Sequence, residues 1–270
     1  MATNSVIKAF RIIEHLSLHG EAGVSEISVG LSMDKTTVYR LLSTMKGIGY
    51  ISQNAADQRY RLSPKFANLT EPAPDHQNLI EMAHPYLEEL IGLTDEAVSL
   101  AFLSGADVIY VDHIDSQHAI KVNAKVGGQY PAHTVGIGKA IMAYLPSKQV
   151  EALYKDREMA VRTPNTISSL TALQAELAKV KKRGYAVDNE ECSPGLFCLA
   201  APIFDASGFP VAGISTGFPL YRHSAVAEQK KMAEIVRQLA GRLSEALGYA
   251  GSKSKAPPKK TAAAKSTSNT

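Results

Sequence analysis

Cysteine is scarce in this chain of 270 residues: Cys192 and Cys198 are the only two. Two thiols are too few for a disulfide framework or a four-ligand zinc site, so reduced thiols, no metal and no cofactor are expected. Long apolar runs are missing as well. No stretch approaches the ~18 residues of a membrane span, and MATNSVIKAF has no signal-peptide core, so a membrane role is excluded and a cytoplasmic location is the expectation. Nor is there a phosphate-binding loop. The segment Gly136-Ile137-Gly138-Lys139-Ala140 has His133 where that loop needs its first glycine and Ala140 where it needs Ser or Thr.

What is present is a chain that is 45% hydrophobic and long enough for two domains with real cores. Charge is unevenly spread. Residues 1–65 carry eight basic and five acidic side chains, residues 66–250 carry 16 and 21, and the last twenty carry five and none. A basic head, an acidic body and a basic tail assign any polyanion contact to the ends.

The head is organised around Asp34 to Tyr50. Asp34 is placed to cap a helix, and Val38, Leu41, Leu42 and Met45 recur as one buried stripe, while Gly47 and Gly49 end it. The front left over is polar: Thr36, Thr37, Arg40 and Ser43. Hydroxyls and an arginine on a short helix suit a DNA major groove, whereas the plainer reading is an amphipathic helix with a solvated face. The neighbours favour DNA. Ser5 to His19 reads as a helix with Val6, Ile7, Phe10, Ile13 and Leu16 on one face, and Val24 to Leu31 as a second, with Ser25 as its N-cap. A short connection then leads into the Asp34 helix, at helix-turn-helix spacing. Segments 50–53 and 59–62 flank a polar loop, giving a hairpin with Arg59 and Arg61 at its edge. Three helices and a basic hairpin make a winged helix. Its candidate DNA contacts are Ser25, Lys35, Thr36, Thr37, Tyr39, Arg40, Ser43, Arg59 and Arg61.

The expected domains are a head at 1–66, a linker and linker helix at 67–94, a body at 95–250 and a disordered basic tail at 251–270. Pro64 to Pro74 is proline-rich, and a helix over 78–93 carries Leu79, Met82, Ala83, Tyr86, Leu87 and Leu90 along one side. Strands are then expected at 97–103, 108–112, 119–124, 185–190, 196–204 and 211–218, with helices near 135–145, 169–183 and 224–247 and another short one beginning at Pro146-Ser147. The fold class is α+β, an antiparallel sheet with helices gathered on its faces. Glu190 and Glu191 are expected to face opposite ways on a strand, which rules out a shared acid–base task.

Over residues 4–250 the chain resembles the IclR family of bacterial transcription regulators. The head carries the likeness through Val24-Ser25-Glu26-Ile27-Ser28, Thr36-Thr37-Val38-Tyr39-Arg40-Leu41-Leu42 and Gly49-Tyr50. The body carries it through Gly127 to Pro131, Gly136 to Ala140, Arg183-Gly184-Tyr185, Asp188 to Glu191 and Gly195 to Asp205. Thr36 to Arg40 together with Ser215-Thr216-Gly217-Phe218-Pro219 look most like the family's sugar-acid regulators, the 2-keto-3-deoxygluconate subgroup.

The resemblance implies a winged helix that binds operator DNA as a homodimer or tetramer, and a GAF-like domain that senses a small organic acid for a catabolic operon. By position it implies an effector pocket floored by the Gly136 and Ile137 backbone, with Asp188, Cys198 and Ser215 pointing in. Amides at a helix start suit a carboxylate, and short polar side chains suit its hydroxyl or keto groups. Two departures stand out. Gly217 replaces a serine found in relatives that bind small keto acids, and Ser32 replaces a turn glycine.

Other readings stay open beside this one. Cys198 sits in an apolar run and is either a ligand-lining thiol or plain core, and as a nucleophile it would need a base such as His113 or His133. The body is alternatively an enzyme of small acids, or a domain that only oligomerises.

Overall fold

Ala9, Ile12, Ile13 and Leu16 anchor the first helix, α1 (Asn4–His19), with Ile12 and Leu16 almost wholly buried. The expected face was a different one. Val6, Ile7 and Phe10 are at least half exposed, because this helix has apolar residues on more than one side and packing against its neighbours selects the 9-12-13-16 stripe. After the two-residue strand β1 (Glu21–Ala22) comes α2 (Val24–Leu31). Its N-cap is Gly23 rather than Ser25: Glu26 Oε2 accepts the Gly23 N–H at 2.8 Å, and Ser25 stands exposed in the first turn. Ser32 ends α2 in the left-handed region at φ 51° and ψ 46°, and Met33 N–H donates back to Ser28 O at 3.0 Å. A serine thus makes the turn in which a glycine would be unstrained.

Helix α3 (Lys35–Gly47) starts at Asp34, whose Oδ1 accepts the Thr37 N–H at 2.7 Å. Val38, Leu42 and Met45 are buried and Leu41 packs beside them. Strands β2 (Ile51–Gln53) and β3 (Tyr60–Leu62) form the hairpin, and β1 pairs with the far side of β3, giving the order β1-β3-β2. Two residues show no periodicity, which is why β1 was not expected.

The computed structural model describes residues 4–66, 74–122 and 124–251, leaving aside the side chains of 74–77. It divides into two compact units, Met1–Gln77 and Asn78–Thr270. Most of the proline-rich boundary and the tail from residue 252 onward lie outside the described residues.

Next in chain order come α4 (Pro74–Thr94), β4 (Ala97–Ser104), β5 (Asp107–Ile114), β6 (Gln129–Pro131) and a 3-10 turn at 132–134. Three helices follow, α5 (Gly136–Met142), α6 (Ser147–Tyr154) and α7 (Leu170–Arg183). Strands β7 (Ala186–Asn189), β8 (Leu196–Phe204) and β9 (Pro210–Pro219) then lead to α8 (Val226–Ala246). The six strands make one antiparallel sheet in the order β6-β5-β4-β9-β8-β7.

Strand alternation splits the core in two. Leu199, Ala201 and Ile203 of β8, with Val98, Leu100 and Ile214, pack with Leu79, Ala83, Leu87 and Leu90 of α4 and with Val236, Leu239 and Leu243 of α8. Ala200, Ala101, Val108 and Ala186 belong to the other core, with Ile137 and Ile141 of α5, Val150 of α6, and Leu173, Leu177 and Val180 of α7. From Leu79 on, α4 is therefore part of this unit's core and more than a linker; Met82 alone of its expected stripe is exposed, at 40%.

Two other expectations change. Residues 119–122 and 124 are irregular, with 123 outside the described residues, and β7 stops at Asn189, so Glu190 and Glu191 lie in a turn rather than on a strand. Gly138 is where α5 passes closest to its neighbour: a Cβ there would lie 2.1 Å from Ala132 O. Among the described residues no helix is long and apolar enough to cross a membrane.

Candidate functional site

In the amino-terminal unit, the buried back of α3 leaves Lys35, Thr36, Tyr39, Arg40 and Ser43 exposed, with Thr37 half-buried. Tyr39 is 58% exposed on the same front. The Arg40 guanidinium makes no hydrogen bond or ion pair among the described residues, whereas Thr44 Oγ1 donates to Arg40 O at 2.9 Å and secures its backbone.

Arg59, also expected at the hairpin edge, differs in being paired within the protein. Its Nη1 donates to Glu26 Oε1 at 3.1 Å, and its Nη2 donates to Glu21 O at 3.0 Å and sits 2.9 Å from Glu26 Oε2. Arg61 remains exposed, with its Nε donating to Ser52 Oγ at 3.3 Å. On the same sheet Lys46 Nζ donates to Gln53 Oε1 at 2.8 Å, a strap from α3 to β2 that no local pattern announces.

In the carboxy-terminal unit one cavity of about 420 Å³ brings together Gly136, Ile137, Asp188, Cys198 and Ser215. Sheet register explains the convergence. Asp188 pairs with Cys198, Cys198 with Gly217, and Ala200 with Ser215, so neighbouring strands β7, β8 and β9 present short polar side chains on one face. The start of α5 faces the same space. Val135 caps it without a side-chain hydrogen bond, and first-turn amides have no intrahelical acceptors.

Sequence reasoning missed the rest of the wall: Tyr110, Tyr130, Tyr221, Lys121 and Cys192 also line it. Tyr110 and Tyr130 meet edge to face at 5.5 Å from adjacent strands, a pairing that only the register of β5 and β6 discloses. Gly217 does not line the cavity. A Cβ there would come within 3.0 Å of Cys198 Sγ and 3.4 Å of Val122 Cγ2, so a serine would crowd the thiol.

Asp188 is the most unusual of these residues. It is fully buried; its Oδ1 accepts the Glu191 N–H at 2.8 Å and the Cys192 N–H at 3.3 Å, while its Oδ2 is buried without a protein partner. Burial pushes its carboxyl up to about 7, against the pull of Lys139. Lys139 itself is 0% exposed and forms an ion pair with Glu191, whose own carboxyl burial also raises. That pair spans 52 residues of sequence, which is why nothing in the chain points to the two as partners.

The thiols are inert by the same physics. Burial raises both, Cys198 well above the ordinary thiol range, with Asp188 adding to the shift. Neither candidate base reaches Cys198. His113 bonds Ser99 Oγ at 2.9 Å and Asp115 Oδ1 at 3.1 Å, and His133 bonds Ala160 O at 3.0 Å. The Ser99–His113–Asp115 run has the residue types of a nucleophile triad, yet Asp115 is also paired with Lys121 at 2.8 Å and Ser99 is not part of the cavity wall. His15 and His19 have the spacing of a metal-binding pair on α1, but they stack at 4.2 Å, and no group of three metal-ligating side chains exists among the described residues.

Comparison with known proteins agrees with this division. Residues 5–55 match the IclR helix-turn-helix domain, and residues 73–245 match the bacterial transcriptional regulator IclR C-terminal family. The transcriptional regulator KdgR of Escherichia coli is 34% identical over 92% of this chain and 94% of its own length. The KdgR of Dickeya chrysanthemi is also 34% identical, over 92% of this chain and 81% of its own. The crystal structure of the Thermotoga maritima IclR, 30% identical, covers 91% of this chain and 99% of its own with a TM-score of 0.71. The chain belongs to the IclR family of ligand-responsive, DNA-binding transcriptional regulators, in its KdgR-like subgroup.

Proposed function

We propose that this protein binds operator DNA through the front of α3 and controls a catabolic operon by sensing a small organic acid, a sugar acid being the subgroup's expectation, in the cavity of its second unit. Lys35, Thr36, Thr37, Tyr39, Arg40 and Ser43 contact the major groove, with Arg40 as the base reader, while Ser25 and Arg61 contact phosphate. Arg59 stiffens the hairpin instead. Two copies in a dimer, or four in a tetramer, address half-sites a whole number of DNA turns apart.

The acid's carboxylate lies against the first-turn amides of α5 at Gly136 and Ile137, and Asp188, Cys198 and Ser215 meet its other oxygens. The observation that carries this reading is Asp188 Oδ2, a buried polar atom with no protein partner beside a cavity large enough for a small molecule. The chemistry is binding rather than turnover, since burial and the neighbouring Asp188 hold the Cys198 thiol protonated and both candidate histidines are engaged elsewhere. A cytoplasmic location follows from the DNA-binding role. Effector and operator affinities are linked, so an acid that alters DNA binding must itself bind differently to the DNA-bound protein.

The test is a thermal-shift screen of organic acids on the full chain, followed by duplex binding with and without each hit. The duplex is obtained by selection from a random pool. An acid that raises the melting temperature and changes affinity for the selected duplex is the expected result. No sequence preference over random DNA at moderate salt would sink the operator assignment, and stabilising acids that leave duplex affinity untouched would sink the sensing.

A further inference from the structure

We propose that the acid enters the cavity as its anion and is held there by a protonated, hydrogen-bond-donating Asp188, so that binding takes up a proton wherever Asp188 is ionised in the free protein. The inference rests on the effector-site reading above and specifies the form in which the ligand binds.

The geometry around Asp188 places two carboxylates beside one cation. Lys139 of α5 is wholly buried and bonded to Glu191, leaving Asp188 without a countercharge in direct contact. Lys139 is the only buried lysine or arginine among the described residues, and the exposed guanidinium of Arg162 is screened by water. Tyr110 of β5, Cys198 of β8 and Cys192 beyond β7 are kept protonated by burial. Tyr130 and Tyr221 also line the cavity; Lys121 does too, but it is paired with Asp115 at 2.8 Å. Arg162 faces Cys192 through a hydrogen bond from its Nε to Cys192 O at 3.0 Å.

One buried ammonium cannot balance two buried carboxylates, and the surplus charge is relieved by a proton. Glu191 has the direct contact with Lys139, so the proton settles on Asp188. Its Oδ1 is already occupied by two backbone N–H groups, which leaves the proton on Oδ2, the oxygen with no protein partner.

That proton decides what the cavity accepts. A buried O–H without an acceptor is costly, so the ligand atom meeting it is a carboxylate or keto oxygen. An ionised Asp188 would repel the same carboxylate and select a hydroxyl donor instead. The two states therefore predict opposite pH dependences for one ligand.

The experiment is calorimetric titration of the full chain with pyruvate, D-gluconate and D-galacturonate at pH 6, 7 and 8, in buffers of different ionisation heat. These acids remain anions throughout. The expected result is affinity about tenfold weaker at pH 8 than at pH 6, because only the protonated fraction is competent. Proton uptake should be about one-half per ligand at pH 7 and approach one at pH 8. Asp188→Asn keeps an oxygen for the two backbone amides and an N–H for the ligand, so it should bind with the low-pH affinity of the natural protein at all three values. Affinity that is flat or tightens with pH, or binding without proton uptake, overturns the proposal while leaving the effector site standing. A folded Asp188→Asn protein that no longer binds overturns it as well. If none of the three acids binds at any pH, the organic-acid reading fails and the proton coupling fails with it.

Discussion

The two units handle charge in opposite ways. In the amino-terminal unit, Arg59 and Glu26 pair at the surface with side chains 35% and 53% exposed, and Arg40 is left to water. In the carboxy-terminal unit, Lys139 and Glu191 pair at 0% and 12%, and Glu96 is 1% exposed beneath Arg222. The contrast follows from what each unit recognises. A polyanion is met by hydrated cations whose counterions are released on contact, so the head keeps its charge outside. A small effector is discriminated by groups already stripped of water, where each hydrogen bond counts for more, and the body, beside surface pairs such as Arg242 and Glu89, also holds charge within.

Removing one cation from each unit is the strongest way to break this contrast. Lys139→Met strands Glu191 in the interior and should cost the second unit about 3–5 kcal/mol. Arg59→Met exposes two surface carboxylates to water and should cost the first unit less than about 1 kcal/mol. Amide hydrogen exchange resolves the two units separately, which a single melting curve cannot. Equal, small losses would mean that the Lys139 pair is solvated and that the two units do not differ in how they hold charge.

Arg40 and Arg59 test the head alone. Arg40→Ala should weaken binding to the selected duplex by about 1–3 kcal/mol and relax preference at one base pair. Arg59→Ala should leave duplex preference unchanged, since its guanidinium is held by Glu26 and Glu21. Anisotropy titrations at one fixed salt concentration measure both. A larger loss from Arg59 than from Arg40 would reverse their roles.

The body's buried carboxyl also leaves a mark on stability. Burial lifts Asp188 from the ordinary 3.8 to about 7, so the folded protein holds this proton more tightly than the unfolded chain does. Its contribution is full below about pH 4 and is lost as pH rises through about 7. Asp188→Asn lacks that loss, and its stability relative to the natural protein should grow over the same window, by about 4 kcal/mol at pH 8, more than half of it between pH 5 and pH 8. Urea midpoints at pH 5 and pH 8 read the difference. A constant offset would show that Asp188 stays ionised.

The sequence was most legible where a signal is local. Asp34, the 38-41-42-45 stripe and Gly49 specify α3 within a few residues, and Ser169 and Gly184 bracket α7 in the same way, as N-cap and left-handed C-cap. The cavity residues were named from a family likeness, and strand register explains why they converge. What stayed hidden was non-local. Nothing near Lys139 announces Glu191, nothing near Arg59 announces Glu21, and α1 offered two apolar stripes between which only the packed neighbours could choose. The 119–124 segment has strand-like residues, but the ladder of β5 continues into β6 at 129–131 instead.

The smallest expected effect concerns a single backbone angle in each unit. Ser32, exposed at φ 51°, adopts a conformation that costs a side-chain-bearing residue about 1–2 kcal/mol, and Ser32→Gly would relieve it. Glycine also gains freedom in the unfolded chain, offsetting roughly 0.5–1 kcal/mol, so the head should be more stable by about 0.5 kcal/mol. Glu190 sits at φ 58° in the body, yet its Oε2 accepts the Gly195 N–H at 2.7 Å. Glu190→Gly relieves the angle and discards that charge-assisted bond, so no gain is expected there. Unfolding of the two variants, followed by exchange in their own units, sets the outcomes side by side. Destabilisation by Ser32→Gly would mean that the serine hydroxyl holds the turn through a contact worth more than the strain, and the head would then resemble the body in relying on a specific polar partner.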